Sequence, residues 1–149
     1  MGGVGHYQIN KIKMDKNTRS KMLITAAEES LAEAEFSFKR GHYNLVIRRS
    51  QECVELVLSG LLALLDIHYP KNHDQAPLLL RILKSRGVDI SKDEKTVTYI
   101  SVDLSRKRGP ALQQEEGYEE SVASKSLEDG KTILAFVEKI KNELLSKSI

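Results

Sequence analysis

Tryptophan is absent from this 149-residue chain, and aromatic residues make up only 5% of it. A core built without them has to come from Leu, Ile, Val and Ala, a composition that leans towards packed helices. Cysteine is almost absent as well. The single Cys53 cannot close an internal disulfide, and its place at an apolar position of a helical pattern predicts a buried, unreactive thiol. No apolar run approaches the ~20 residues of a membrane span. The longest, Val54 to Leu65, is interrupted by Glu55, Ser59 and Gly60. The opening segment MGGVGHYQINKIKMDK lacks the apolar stretch of a secretory signal, so no membrane association and a reducing, cytoplasmic location are expected. Phosphate-cradling glycine loops, G-x-S-x-G elbows and zinc spacings are also missing. His68 and His73 have no Cys or close carboxylate to complete a ligand set, and neither a cofactor nor a metal is expected.

What is present begins with an uneven charge. The formal net charge is +2, but Lys11, Lys13, Lys16, Arg19 and Lys21 against Asp15 give the first 21 residues a balance of +4, which leaves the rest at −2. A dedicated duplex-binding protein carries a basic face across its domain; here only small basic clusters remain. The length suits one domain of ordinary size. The expected division is a basic, flexible segment over residues 1–20 and a helical domain over 21–149.

Apolar residues recur at helical spacing almost throughout. Leu23, Ala27, Leu31, Ala34 and Phe38 mark a first helix. Its start is expected at Asn17 or Thr18, or at Thr25 with Glu28 as a capping box, and its stop at Gly41. A second helix, from about Tyr43 to Ile67, is apolar on most sides, with a narrow polar stripe of Arg48, Glu52, Glu55 and Ser59. So wide an apolar surface predicts a central helix. After HYPKNHD, Asp74 is a good N-cap for a short helix through Leu78, Leu79, Ile82 and Leu83 to Gly87. Ser91 to Glu94 has capping-box form and opens a fourth helix, which Gly109-Pro110 is expected to end or bend sharply. A last helix runs from about Glu120 to Ser146. No stretch alternates with period two. The predicted fold is all-α, an antiparallel up-and-down four-helix-type bundle with an additional short helix.

The stretch SRKRGPALQQEEGY, residues 105 to 118, carries the densest chemistry. In one reading its cations complement the dipole at a helix end, worth ~0.3 to 1 kcal/mol, and pair with Glu115, Glu116 or Glu119. In the other, Arg106 and Arg108 fork onto a phosphate or nucleotide. If every helix reverses direction, the loop at residues 68–74 lies at the same end as this stretch. That places Lys71 and His73, with His68 and Asp74, beside Arg106, Lys107, Arg108 and Tyr118. Lys71, His73, Arg106, Arg108 and Tyr118 are thus the candidate nucleotide- or phosphate-binding residues. The plainer reading of NHD is a loop in which Asp74 caps a helix and His73 meets a backbone group or water.

The order of these features resembles the HEPN domain over roughly residues 22 to 145. GHYNLVIRRSQECVEL is similar to the family's G-x-Y segment followed by a Q-x-x-x-E helix, NHD to its T-H-D, and SRKRGP to an S-R-Y-P segment of one branch, from which Lys107 and Gly109 depart. The resemblance implies a small helical bundle that forms homodimers. Many such proteins are metal-independent endoribonucleases built on R-x4-6-H, but none of His6, His42, His68 or His73 follows an Arg at that distance. The resemblance therefore implies an interaction module acting with a minimal nucleotidyltransferase, in a two-component or toxin-antitoxin pair, with no catalytic residue assigned. One alternative is a nucleotide- or RNA-binding protein. Another is an atypical metal-independent endoribonuclease in which His73 supplies the imidazole from another helix.

Overall fold

The computed structural model describes residues 13–69, 75–114 and 116–147, and these form five helices with no strand among them. Helix α1, Lys16–Lys39, is capped two residues before the earliest of the expected caps, because the Asp15 carboxylate accepts the Thr18 N–H at 2.8 Å. It stops where expected. Gly41 takes a φ of +75°, open to a residue without a Cβ, while the N–H groups of Gly41 and His42 close on the carbonyls of Phe38 and Ser37.

Helix α2, Tyr43–Leu64, ends three residues short of the expected Ile67. Asp66 turns left-handed at φ +59° and the Ile67 N–H returns to the Leu62 carbonyl, so the apolar pattern outlasts the helix. Helix α3, Gln75–Ser85, is short and is closed by Gly87. Its expected cap, Asp74, lies outside the described residues.

Helix α4, Glu94–Gln113, departs from expectation at both ends. The capping box at Ser91 does not form. The Ser91 N–H bonds to the Asp89 side chain at 3.0 Å, and Asp93 takes the N-cap position. At the other end Gly109-Pro110 does not stop the helix. Pro110 removes one helical donor, the one owed to the Arg106 carbonyl, but only one more turn follows it. That turn is held by the fully buried Ala111 and by the Gln114 N–H on the Pro110 carbonyl. Helix α5 spans Glu120–Ser146, as the spacing predicts.

The core gathers around α2. Ile47, Val54, Val57, Leu58, Leu61 and Leu62 are at most 1% exposed, and α1, α4 and α5 pack onto it. Each such side chain contributes ~1.5 to 3 kcal/mol by leaving water. Cys53 is buried among them, and burial, with a smaller effect from Glu28, pushes its thiol up to about 12. Close approach needs small residues. A Cβ on Gly60 would meet Ile24 Cγ1 at 2.8 Å, and the Ser20 hydroxyl donates to the Gly60 carbonyl at 2.6 Å, so α1 lies in a notch of α2. No helix among the described residues is long and apolar enough to cross a membrane.

The four long helices alternate in direction, but the ends pair differently from the expected arrangement. At ~1.5 Å per residue, α3 is only half as long as α2 and does not carry the chain back along the bundle. Its far end stays beside the end of α2, where Arg86 bonds the Leu65 carbonyl at 3.3 Å. Helix α4 therefore makes the return itself. Its beginning meets late α5 through Lys139–Asp93 at 2.7 Å, and its end reaches the Gly41 turn.

Candidate functional site

The cations of SRKRGP do not sit in the last turn of a helix, since α4 continues beyond them, and they do not share one pocket. Lys107 and Arg106 turn to Asp103 on the preceding turn, at 2.6 and 3.4 Å. Burial works to raise the Asp103 carboxyl, but the hydrogen-bonded Lys107 ammonium, with Lys125 and Arg106, holds it below the usual carboxylate range. Arg106 itself is 73% exposed in its side chain. Arg108 crosses to α2 and bonds Glu55 Oε1 at 3.0 Å. Gln51 donates to that same oxygen at 3.1 Å, so the Q-x-x-x-E pair and the SRKRGP arginine converge on one atom. The expected pairing with Glu116 or Glu119 gives way to Asp103 and Glu55, because a helix running through Pro110 points the arginines back along the bundle. Glu115 lies outside the described residues.

Two clefts flank this junction. The lower, about 450 Å³, is lined by Arg19, Leu23, Glu52, Glu55, Leu56, Ser59, Tyr69 and Gln75. Tyr69 and Gln75 both bond the Ser59 hydroxyl, and Glu52 is tied to Arg49 at 2.8 Å. This wall is acidic and largely satisfied.

The upper cleft, about 520 Å³, opens where the α4–α5 connection passes over the start of α2. Asn44 staples the connection in place. Its side-chain N–H group donates to Gln114 Oε1 at 3.1 Å and to the Glu116 carbonyl at 2.7 Å, and its oxygen accepts the Tyr118 N–H at 3.2 Å. The cleft between them is walled by His42, Tyr43, Leu45, Arg48, Gly117 and Tyr118. Arg48 is half-buried and makes no hydrogen bond or ion pair among the described residues. No side chain caps α2 here. Burial, then the charges of Glu116 and Asp103, pushes the Tyr118 phenol above its ordinary value.

Among the expected site residues that the structure describes, Tyr118 lines this cleft, while Arg108 is engaged by Glu55 of α2 and Arg106 by Asp103 of α4. Of the expected gathering at the 68–74 loop, the described residues speak only to His68 and Tyr118, which lie apart, while Arg108 meets Glu55 in the wall of the cleft that Tyr69 and Gln75 also line. His68 lines a small cavity with Met14, Arg19 and Asp66 near the end of α2, and Tyr118 sits beside its beginning. Lys71 and His73 lie outside the described residues, as does His6. Sequence reasoning missed Asn44 and gave Arg48 only a place in a polar stripe. The available signal was a polar, turn-favouring residue in the first turn of a helix whose other positions are mostly apolar. Among the described residues no group of three or more His, Cys, Asp or Glu gathers as a metal would require.

The outward face of α4 is the other open feature, although the Tyr99 ring lies beneath the Lys125 ammonium of α5, 5.1 Å from the ring centre. Tyr99, Val102 and Leu112 are 57%, 44% and 43% exposed on the open side of that helix, where Ser105, Arg106 and Gly109 are exposed between them. Comparison with known proteins finds that the model of the HEPN domain matches residues 20–140. No curated protein and no solved structure matches.

Proposed function

Because the chain belongs to the HEPN domain family, we propose that it works as a homodimeric interaction module for a separately encoded nucleotidyltransferase, in a two-component or toxin-antitoxin pair. The observation that carries this reading is the outward side of α4. Tyr99, Val102 and Leu112 give up apolar area to water on a helix that packs mainly against α2, and Gly109 between them leaves the backbone open to close approach. Large apolar side chains left open on one side of a helix are what a protein surface covers with another protein. The sequence supports the same direction, since no His stands at R-x4-6-H spacing. So does the pairing of Lys107 with Asp103 and of Arg108 with Glu55, which leaves fewer free cations for a phosphate chain.

The test is co-expression with the nucleotidyltransferase of a neighbouring reading frame, followed by size-exclusion chromatography with light scattering. The expected result for the chain alone is twice its 16.8 kDa mass, with co-elution when the nucleotidyltransferase is present. Tyr99→Lys/Val102→Glu should abolish one of these associations without changing helicity. A monomer that never recruits the nucleotidyltransferase would sink the reading. A second reading, a nucleotide-binding protein, is favoured by one observation, the upper cleft with Arg48, which meets no carboxylate among the described residues.

A further inference from the structure

We infer that the tip of the α1–α2 hairpin is a docking face for an acidic segment of another protein. One apolar side chain of that segment enters the cavity between Phe36 and Leu45, and its carboxylates meet Arg40 and His42. The inference rests on neither reading above. The face is built by α1 and α2 alone, and α1 does not touch α4 among the described residues.

Its starting point is the most exposed large apolar side chain among the described residues. Phe36 is 61% exposed, ahead of Tyr99 and Met22. The Arg40 guanidinium lies over its ring, 5.3 Å from the ring centre, so the aromatic face holds the cation in place while the planar fork stays available to a carboxylate. Neither Arg40 nor the exposed Lys39 beside it meets a carboxylate among the described residues. Arg49 does, at Glu33 at 2.9 Å and at Glu52 at 2.8 Å, so the one acid that lines the cavity, Glu33, is already matched by a cation. Glu35, on the neighbouring side of α1, is matched by Lys131 at 3.5 Å. His42 stands exposed at the cavity, and α2 begins there with no side-chain cap, which adds the positive end of its dipole. The corner therefore carries an excess of positive charge, and a negative segment is the complement it fits.

Size and rigidity point to a protein segment. The cavity holds about 200 Å³, below the ~300 to 1,000 Å³ of small-ligand sites, which suits one inserted side chain. An aromatic ring and arginines around an apolar hollow are what protein contacts concentrate. A phosphate chain would meet Glu33 on its path and leave Leu45 without a partner. The face is also preformed. Gly41 turns the chain at φ +75°, the N–H groups of Gly41 and His42 close on the Phe38 and Ser37 carbonyls, and the Phe38 and Tyr43 rings pack across the turn with centres 5.7 Å apart. A surface already ordered loses little freedom on binding.

The experiment is selection of short random peptides displayed on phage against the full chain, followed by fluorescence anisotropy with the enriched peptide made synthetically. The enriched peptides should share an apolar residue flanked by Asp or Glu. Binding should weaken about tenfold or more in Arg40→Glu, where attraction becomes repulsion, and in Phe36→Ala. Both positions are exposed, and a thermal melt should show the fold unchanged. Raising the salt from about 0.1 M to about 1 M should weaken binding too, because exposed charges are screened. Tyr99→Lys/Val102→Glu should leave peptide binding intact, which separates this face from the outward side of α4. Enrichment of basic peptides, or of none, would overturn the inference. So would binding that is unchanged in Arg40→Glu or in Phe36→Ala, or an Arg40-dependent affinity for a short oligouridylate or for phosphatidylserine vesicles tighter than that for any peptide.

Discussion

Helices α2 and α4 are nearly the same length, yet 13 of 22 residues are buried in the first and 6 of 20 in the second. Helix α2 is enclosed by three long neighbours, while α4 leans mainly on α2 and meets α5 only lightly. The difference separates two tasks. Helix α2 supplies the free energy that makes the bundle fold, and α4 spends part of its surface on presentation. Even the buried polar groups divide this way. Those of α2 are mostly small hydroxyls and the Gln51 amide among apolar neighbours, whereas α4 keeps an ion pair, Asp103–Lys107, between its core side and its open side.

The contrast can be tested by how much each helix loses to substitution. The largest effect should come from Leu61→Ala in α2, where a fully buried side chain leaves a cavity. The expected loss is about 2 to 5 kcal/mol in urea unfolding, and a loss under 1 kcal/mol would show that α2 is less central than its burial implies. Asp103→Asn in α4 should cost less, about 1 to 3 kcal/mol near neutral pH, because Lys107 keeps its charge and loses its acceptor. The sign with pH follows from the lowered Asp103 value. Its stabilisation is present above the ordinary carboxylate value of ~3.9 and disappears as pH falls through the lower folded value. Wild type and variant should therefore converge in stability below about pH 4, and a constant difference down to pH 2 would rule out the ion pair as the cause. The smallest effect belongs to the outward side of α4. Val102→Glu alone should change stability by no more than ~0.5 kcal/mol, and a large loss would mean that this face is folded against something within the chain.

The five helices were legible because their apolar residues repeat at helical spacing, and α5 was legible to both ends because polar residues flank a clean pattern. The boundaries of α4 were not. A capping box at Ser91 and a breaker at Pro110 are local signals, and both are overruled: the Asp93 and Glu94 N–H groups turn to the Ile90 carbonyl, and the burial of Ala111 carries the helix past the proline. The candidate site was legible in part. Tyr118 was expected to take part and lines the upper cleft, and Arg108 was expected to matter but is taken by Glu55. Counting α3 as a full traverse exchanged the two ends of α4, which put Tyr118 at the end of α2 instead of its beginning. Asn44 and Arg48 could not be recognised from spacing, because what distinguishes them is a connection more than 60 residues away in sequence.

The notch at Gly60 has a mechanical consequence. With Ile24 filling the space a Cβ would occupy and Ser20 latched to the same backbone, α1 and α2 have a single seating. A slide of one turn, ~5.4 Å, would bring α1 against Leu56 or Leu64 in place of glycine, and a rolling motion would unhook the latch. The hairpin thus behaves as a rigid stator. Whatever docks on this molecule can tilt α4 or lift the connection held by Asn44, and any message carried across the bundle would have to travel by those two parts.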